Sequence, residues 1–437
     1  MTSDPSCKRG DTPHAGGGSG QGGSPPGTAR PARDGGSANT GRRATANIYK
    51  LGFVSLFADL STEMIYPLIP EFLVTLGASK VLVGLIEGVA EGTASLLRLV
   101  GGLLSDKVAK RRFFLFLGYG LAAVAKPFLF VATQWTQVLA LRFADRVGKG
   151  LRTPARDALL ADSVDPARKG FGFGFHRGMD SLGAAGGPLL AMLVLALSHG
   201  NVRLVFLLSV IPALVSVVLI AKVKEVLPAA REVKRSLRGQ TDLGRPFALF
   251  VLSIVVFTLG NSSNAFLILK AREAGLSAAG IPLIWLTYNV VGSVSSPVCG
   301  HLSDRIGRRP IIVASFLVYA LIYAAFGLTS SLTAVWVIFC CYGLYHGLSE
   351  GIFRAYVADL VESDRRATAY GLFNTAIGIA LIPASVVFGL LWDKVSSSAA
   401  FLVSAAFSLA AGGLFLATQR RPPREAAAGA SVQREGA

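Results

Sequence analysis

Three carboxylates, Asp59, Glu63 and Glu91, lie in stretches whose other residues are largely apolar. Asp59 and Glu63 are four residues apart and so share one face of a helix. A carboxylate held away from water can load and release a proton, which is the chemistry of proton coupling across a membrane. A second set is basic. Arg142, Arg146, Lys149, Arg152 and Arg156 step by four, three, three and four residues. They form one stripe along a helix, suited to holding an anion. Each Arg, Lys or Asp at the centre of a lipid-spanning helix costs about 2.5–3.5 kcal/mol. Such a group must therefore pair or face water. Whichever of the three carboxylates stands furthest from Arg146 and Lys149 is free to be neutral for part of a cycle, and spacing alone does not choose among them.

The second half of the chain is poorer in charge. Asn261, Asn264, Tyr288, Asn289, Tyr345, His346 and Glu350 are the polar residues there that are placed to line a cavity opposite the charged set. Nothing points to bond-making chemistry. The chain has no phosphate-binding Gly-rich loop of the Gly-x4-Gly-Lys-Ser/Thr type, no His-Glu-x-x-His and no Gly-x-Ser-x-Gly. Its cysteines, Cys7, Cys299, Cys340 and Cys341, have no metal-like spacing. We expect no catalytic residues, no metal and no cofactor.

The elements that position these residues follow from composition. Of 437 residues, 52% are hydrophobic and 16% charged, whereas a soluble domain carries charge at roughly a quarter of its positions. Apolar runs of about 20 residues, long enough to cross ~30 Å of hydrocarbon, recur along the chain. They are continuous rather than alternating, which selects helices over a barrel. The spacing predicts an all-α integral membrane protein with twelve transmembrane helices. They fall at about 47–73, 80–104, 113–132, 136–158, 171–197 and 202–222, then 246–269, 280–302, 311–329, 333–357, 368–391 and 399–417. The domains are then a disordered tail at 1–46, a six-helix half at 47–222, a linker at 223–245, a second six-helix half at 246–417 and a disordered tail at 418–437.

The halves are repeats. Gly102, Asp106, Lys107, Lys110 and Arg111 are echoed 198 residues later by Gly300, Asp304, Arg305, Arg308 and Arg309. Gly307 has Ala109 as its counterpart. Asp162 and Gly174 recur as Asp359 and Gly371 at an offset of 197. In this pattern the chain resembles the major facilitator superfamily of secondary transporters over about 47–417. That family carries Gly-x3-Asp-Arg/Lys-x-Gly-x-Arg/Lys-Arg/Lys after its second helix. The segment from Gly300 through Arg308 to Arg309 matches it up to the last basic position, where Pro310 stands, and the first copy departs only at Ala109. Gly174, Gly183, Gly187 and Pro188 resemble most of the family's antiporter signature.

The resemblance implies two six-helix repeats and alternating access. It gives Gly102, Asp106, Lys107, Arg111, Gly300, Asp304, Arg305, Gly307 and Arg308 a gating role, in which each Asp meets the opposite half when that side closes. The expected function is secondary active transport of a small solute, as proton-coupled antiport or efflux. Uptake or exchange of an anionic solute on the basic stripe is the alternative, and a transporter-like membrane sensor a remote one. The partners are then a small-molecule substrate, protons and the lipid bilayer, with no nucleic acid, and the protein is a monomer. The net charge of +17 lies mainly in loops on one side. By the positive-inside rule that side is cytoplasmic, with both termini on it, in the plasma or bacterial inner membrane.

Overall fold

The computed structural model describes residues 35–108, 110–164, 169–225, 243–362 and 365–419, without the side chains of 35–46, 103, 106, 107, 169, 170 and 367. The expectations for most of the N-terminal tail, for 226–242 of the linker and for 420–437 lie outside the described residues. The chain divides into Met1–Thr40 and Gly41–Ala437, and the helical bundle belongs to the second unit.

The described chain is helical. The first half comprises α1 (Gly35–Ile65), α2 (Ile69–Thr75), α3 (Lys80–Val108), α4 (Arg111–Val131), α5 (Trp135–Ser163), α6 (Lys169–Leu197), α7 (Val202–Leu208) and α8 (Val210–Ala221). The second comprises α9 (Arg245–Gly260), α10 (Asn264–Glu273), α11 (Ile281–Ile306), α12 (Arg308–Leu328), α13 (Leu332–Leu360), α14 (Arg366–Lys394) and α15 (Ser397–Thr418). Among the described residues, nine helical stretches are long and apolar enough to cross a membrane. The long helices outside that set, α1, α3 and α5, carry most of the charges within the spans of the first half.

Three predicted spans are interrupted: the one at 202–222 only at Ser209, between α7 and α8, and two others by longer breaks. A 3-10 turn at Tyr66–Leu68, with Pro67 in its first turn, separates α1 from α2. Asn261–Ser263 separates α9 from α10, and the Ser263 hydroxyl caps α10 by accepting from the Ala265 N–H. The two longer breaks fall at matching places in the two repeats. Unwound backbone at membrane depth is tolerated where it lines a cavity, and both breaks do so here. The span expected to end at 269 continues to Glu273. Lys270, expected in a loop, is therefore helical and buried, paired with Glu273 at 3.0 Å.

Small residues bring the halves together. On α3, Gly84, Gly88 and Gly92 recur every four residues and meet Ser385, Ile382 and Gly378 of α14. A Cβ at Gly92 would stand 2.9 Å from the Gly378 carbonyl oxygen. Close backbone approach of this kind replaces the hydrophobic drive that is missing in lipid. At the end of the bundle with few basic loops, Asp393 of α14 accepts from the Lys80 and Val81 N–H groups at the start of α3, at 3.3 and 3.0 Å. Arg272 pairs with Glu71 there at 2.8 Å.

The basic end is organised within each half. Arg111, the first residue of α4, pairs with Asp162 of α5, and Arg308, the first residue of α12, pairs with Asp359 of α13. The repeat equivalence is thus Arg111 with Arg308, an offset of 197 rather than the 198 of the preceding Asp residues. The turn between helices absorbs one residue. Gly307 makes that turn in the second half with φ +89°, a conformation that favours glycine. The Asp304 carboxylate is 69% exposed, with only Arg308 nearby at 3.9 Å. It makes no hydrogen bond or ion pair with the opposite half among the described residues. The Asp106 and Lys107 side chains lie outside the described residues, and a Cβ on Gly102 would stand 3.6 Å from the Pro154 Cβ.

Candidate functional site

The breaks in α1/α2 and α9/α10 open onto a cavity of about 560 Å³ between the halves. From the first half it is lined by Thr62, Glu63, Tyr66, Glu91, Arg146, Lys149 and Arg177. From the second half come Asn261, Asn264, Tyr288, Asn289, Tyr345, His346 and Glu350, all seven of the residues anticipated there.

Glu63 bridges the halves. Its Oε2 accepts from Trp285 Nε1 at 2.7 Å and from Asn289 Nδ2 at 3.3 Å, both on α11. Asn289 also donates to the Ala184 carbonyl of α6 at 3.0 Å. Glu91 instead sits 3.2 Å from Arg146 within its own half, which holds it as a carboxylate anchored to a cation. Of the carboxylates in this cavity, Glu63 alone makes no ion pair with a guanidinium among the described residues.

The basic stripe is not one surface. Arg142 is buried and does not line the cavity. It donates to both oxygens of Glu87, at 2.6 and 2.8 Å. The expectation that Arg142 binds substrate is therefore corrected: α3 packs over that turn of α5 and supplies the buried counter-charge. Arg146 lines the cavity, with its guanidinium 5.9 Å from the Tyr66 ring centre and 3.8 Å from Asp145. Arg152 lies over the Tyr119 ring at 4.2 Å. Arg156 binds Ser55 and Asp157. Of the stripe, only Lys149 reaches the cavity with a side chain that makes no hydrogen bond or ion pair among the described residues.

A second cavity, of about 700 Å³, lies toward the basic end. Asp59 faces it, one helical turn from Glu63, together with Gly174 and Asp180. The shared face of Asp59 and Glu63 is as expected, but the two carboxylates serve different chambers. Arg177, Asn289, His346 and Glu350 border both. Glu350 gathers His346 Nε2 at 3.0 Å, Arg354 at 3.2 Å and Arg177 of the opposite half at 4.0 Å. The Tyr288 hydroxyl meets His346 Nδ1 at 3.2 Å. The two predicted amides are set by tyrosines: Tyr319 donates to Asn261 at 3.1 Å and Tyr342 to Asn264 at 2.7 Å.

Gly183 and Gly187 seat α6 on the carboxylate-bearing helix. A Cβ on Gly187 would lie 2.7 Å from both the Leu60 carbonyl oxygen and the Glu63 Cβ, and one on Gly183 would lie 2.9 Å from the Asp59 Cβ. Gly174 has open space instead. Gly187→Ala is therefore expected to cost about 1–3 kcal/mol by overpacking and to displace Glu63 from Trp285. A thermal midpoint equal to wild type, with unchanged Trp285 fluorescence, would contradict this contact.

Sequence reasoning missed Tyr66, Trp285 and Tyr342 as lining residues. Aromatic residues in apolar spans carry no pattern that separates a cavity wall from a core. Arg177 was visible as a charge in an apolar span, but its partner Glu350 lies in the other half.

The family profile of the Major Facilitator Superfamily matches residues 51–258 and again 248–436. The chain is 34% identical over 382 residues to an uncharacterised MFS-type transporter of Methanocaldococcus jannaschii, covering 86% of this chain and 95% of the relative. It is 30% identical over 353 residues to an uncharacterised protein of Mycobacterium tuberculosis (strain ATCC 25618 / H37Rv), covering 78% and 85%. Among solved structures, a point mutant of the nucleoside transporter NupG superimposes with a TM-score of 0.72 at 14% identity, covering 85% of this chain and 99% of that one. Repeated helices broken at a central inter-half cavity, a duplicated loop motif and a twofold profile match agree: this chain belongs to the Major Facilitator Superfamily and is a multi-pass membrane transporter, not an enzyme.

Proposed function

We propose that this transporter exchanges a small solute for protons by alternating access, exporting the solute, with Glu63 as the coupling carboxylate. The observation that carries this reading is the bond from Trp285 and Asn289 of one half to Glu63 of the other, at the wall of the inter-half cavity. Hydrogen bonds to a charged acceptor contribute about 1.5–3 kcal/mol, against about 1 for a neutral pair. Protonating Glu63 therefore weakens a contact between the two moving bodies, which ties proton loading to their rocking. Solute and proton exclude each other if both need the same carboxylate, and exclusion makes exchange.

The rival reading, anion transport on the basic stripe, is weakened by the pairing of Arg142 with Glu87 and of Arg146 with Glu91. Proteoliposomes with an imposed pH gradient, challenged with a solute panel, test the proposal. The expected result is solute movement driven by the gradient with proton flux in the opposite direction. Solute flux that ignores the gradient, or protons moving with the solute, would overturn it.

Twelve crossings, a monomeric carrier and cytoplasmic termini complete the reading. The basic loops at one end support that orientation in the cell membrane. A single cysteine at Ser236, in a background lacking the native cysteines, is expected to resist an impermeant thiol reagent in sealed cells and to react after permeabilisation. Equal labelling in both conditions would reverse the orientation.

A further inference from the structure

The charged groups around the first cavity pair off, with two exceptions. Arg146 is held between Glu91 and Asp145, at 3.2 and 3.8 Å. Glu350 collects His346, Arg354 and Arg177. The Lys149 ammonium lines the same space with no hydrogen bond or ion pair among the described residues. Glu63 is met only by the neutral donors Trp285 and Asn289, both on Oε2, which leaves Oε1 for a ligand. Asp59, also without an ion pair among the described residues, opens onto the other cavity. One ammonium and one carboxylate thus face a common volume of about 560 Å³, each lacking a counter-ion in contact.

Burying a charge without its partner costs several kcal/mol. A monoanion placed here satisfies Lys149 and leaves Glu63 unmatched. A monocation does the reverse. A solute with one charge of each sign satisfies both. One side of the remaining wall is a run of rings, beside amides and hydroxyls such as Asn261, Asn264 and Ser262: Trp285 lies 4.7 Å from Tyr288, Tyr288 stacks at 5.2 Å on Tyr342, and Tyr342 stacks at 5.7 Å on Tyr345. Such a wall suits a flat apolar body.

We infer that this cavity binds a small zwitterion with a flat, apolar body, its anionic group on Lys149 and its cationic group on Glu63. The assignment rests on the exchange reading in one respect: Glu63 is ionised when solute is bound. The groups facing Glu63 that would sense a change there are Lys149 and Arg146 on α5, Glu91 on α3, Arg177 on α6, and His346 and Glu350 on α13.

The test uses purified full-length protein in detergent at fixed pH and two matched sets of probes. One is phenylalanine, 3-phenylpropanoate and 2-phenylethylamine; the other is tryptophan, indole-3-propanoate and tryptamine. In at least one set the zwitterion is expected to bind about tenfold or more tightly than either monoion, the loss of one matched charge. Lys149→Ala should bring amine and zwitterion to equal affinity, and Glu63→Gln should do the same for acid and zwitterion. The wild-type ranking stands even if a variant fails to fold. No saturable binding of either zwitterion, or a monoion binding as tightly in both sets, overturns the assignment. So does a ranking that both folded variants leave unchanged. Proton release on binding, followed with a pH dye in weak buffer, separates the two claims. Zwitterion preference without release sinks the exchange reading and keeps the site. Release with a monoion preference sinks the site and keeps the exchange.

Discussion

Glu63→Gln is expected to abolish pH-driven accumulation while still permitting solute exchange at equal pH, at a solute affinity lowered by the lost charge. Glutamine preserves an oxygen for Trp285 and Asn289, so the bridge between halves persists. It cannot take up or release a proton, so the gradient loses its handle. One pH unit is worth about 1.4 kcal/mol, or a tenfold concentration ratio for one proton per solute. Wild type should therefore reach about a tenfold ratio across a one-unit gradient, and the variant should stop at parity. Glu91→Gln should behave differently. It removes the partner of a buried guanidinium, and its defect should appear in stability and affinity. Uptake into proteoliposomes with and without a gradient separates these outcomes. Should Glu63→Gln keep the tenfold ratio, coupling belongs elsewhere, with Asp59 in the second cavity next in line.

The second large effect is structural and belongs to Arg142 and Glu87. Their side chains are 3% and 1% exposed and joined by a bidentate bond. Removing one partner of a buried pair costs about 3–5 kcal/mol, because the other charge stays uncompensated. Arg142→Met and Glu87→Met should each lower the unfolding midpoint sharply. The double variant should recover most of that loss, since two apolar side chains of similar volume replace a pair whose own desolvation was costly. Solute affinity in the double variant should remain near wild type. A large, selective affinity loss there would restore Arg142 to the role of substrate ligand. Additive single losses with no recovery would mean that the two residues act independently.

The sequence by itself determined the kind of molecule. Helix-length apolar runs, and a loop motif repeated 198 residues apart, settle an α-helical membrane protein made of two related halves. Spacing was enough to place Asp59 with Glu63, and Arg142 with Arg146 and Lys149, on common helix faces. The breaks at Tyr66–Leu68 and Asn261–Ser263 were not anticipated, since the spans at 47–73 and 246–269 read as continuous apolar runs. Only the tertiary structure decided what each face meets. Helical periodicity fixes a direction around an axis and says nothing of the neighbour in that direction. Arg142 and Arg146 point the same way, yet one turn of height puts Glu87 of α3 over the first and opens a cavity beside the second. The same turn separates Asp59 from Glu63 into two chambers. Glu63 finds its donors on α11, more than 200 residues away, and Arg177 meets Glu350 across the halves. Such pairings exist only once the two halves have packed, because the glycine rows of α3 and α6 set how closely the helices approach and therefore which side chains come within reach.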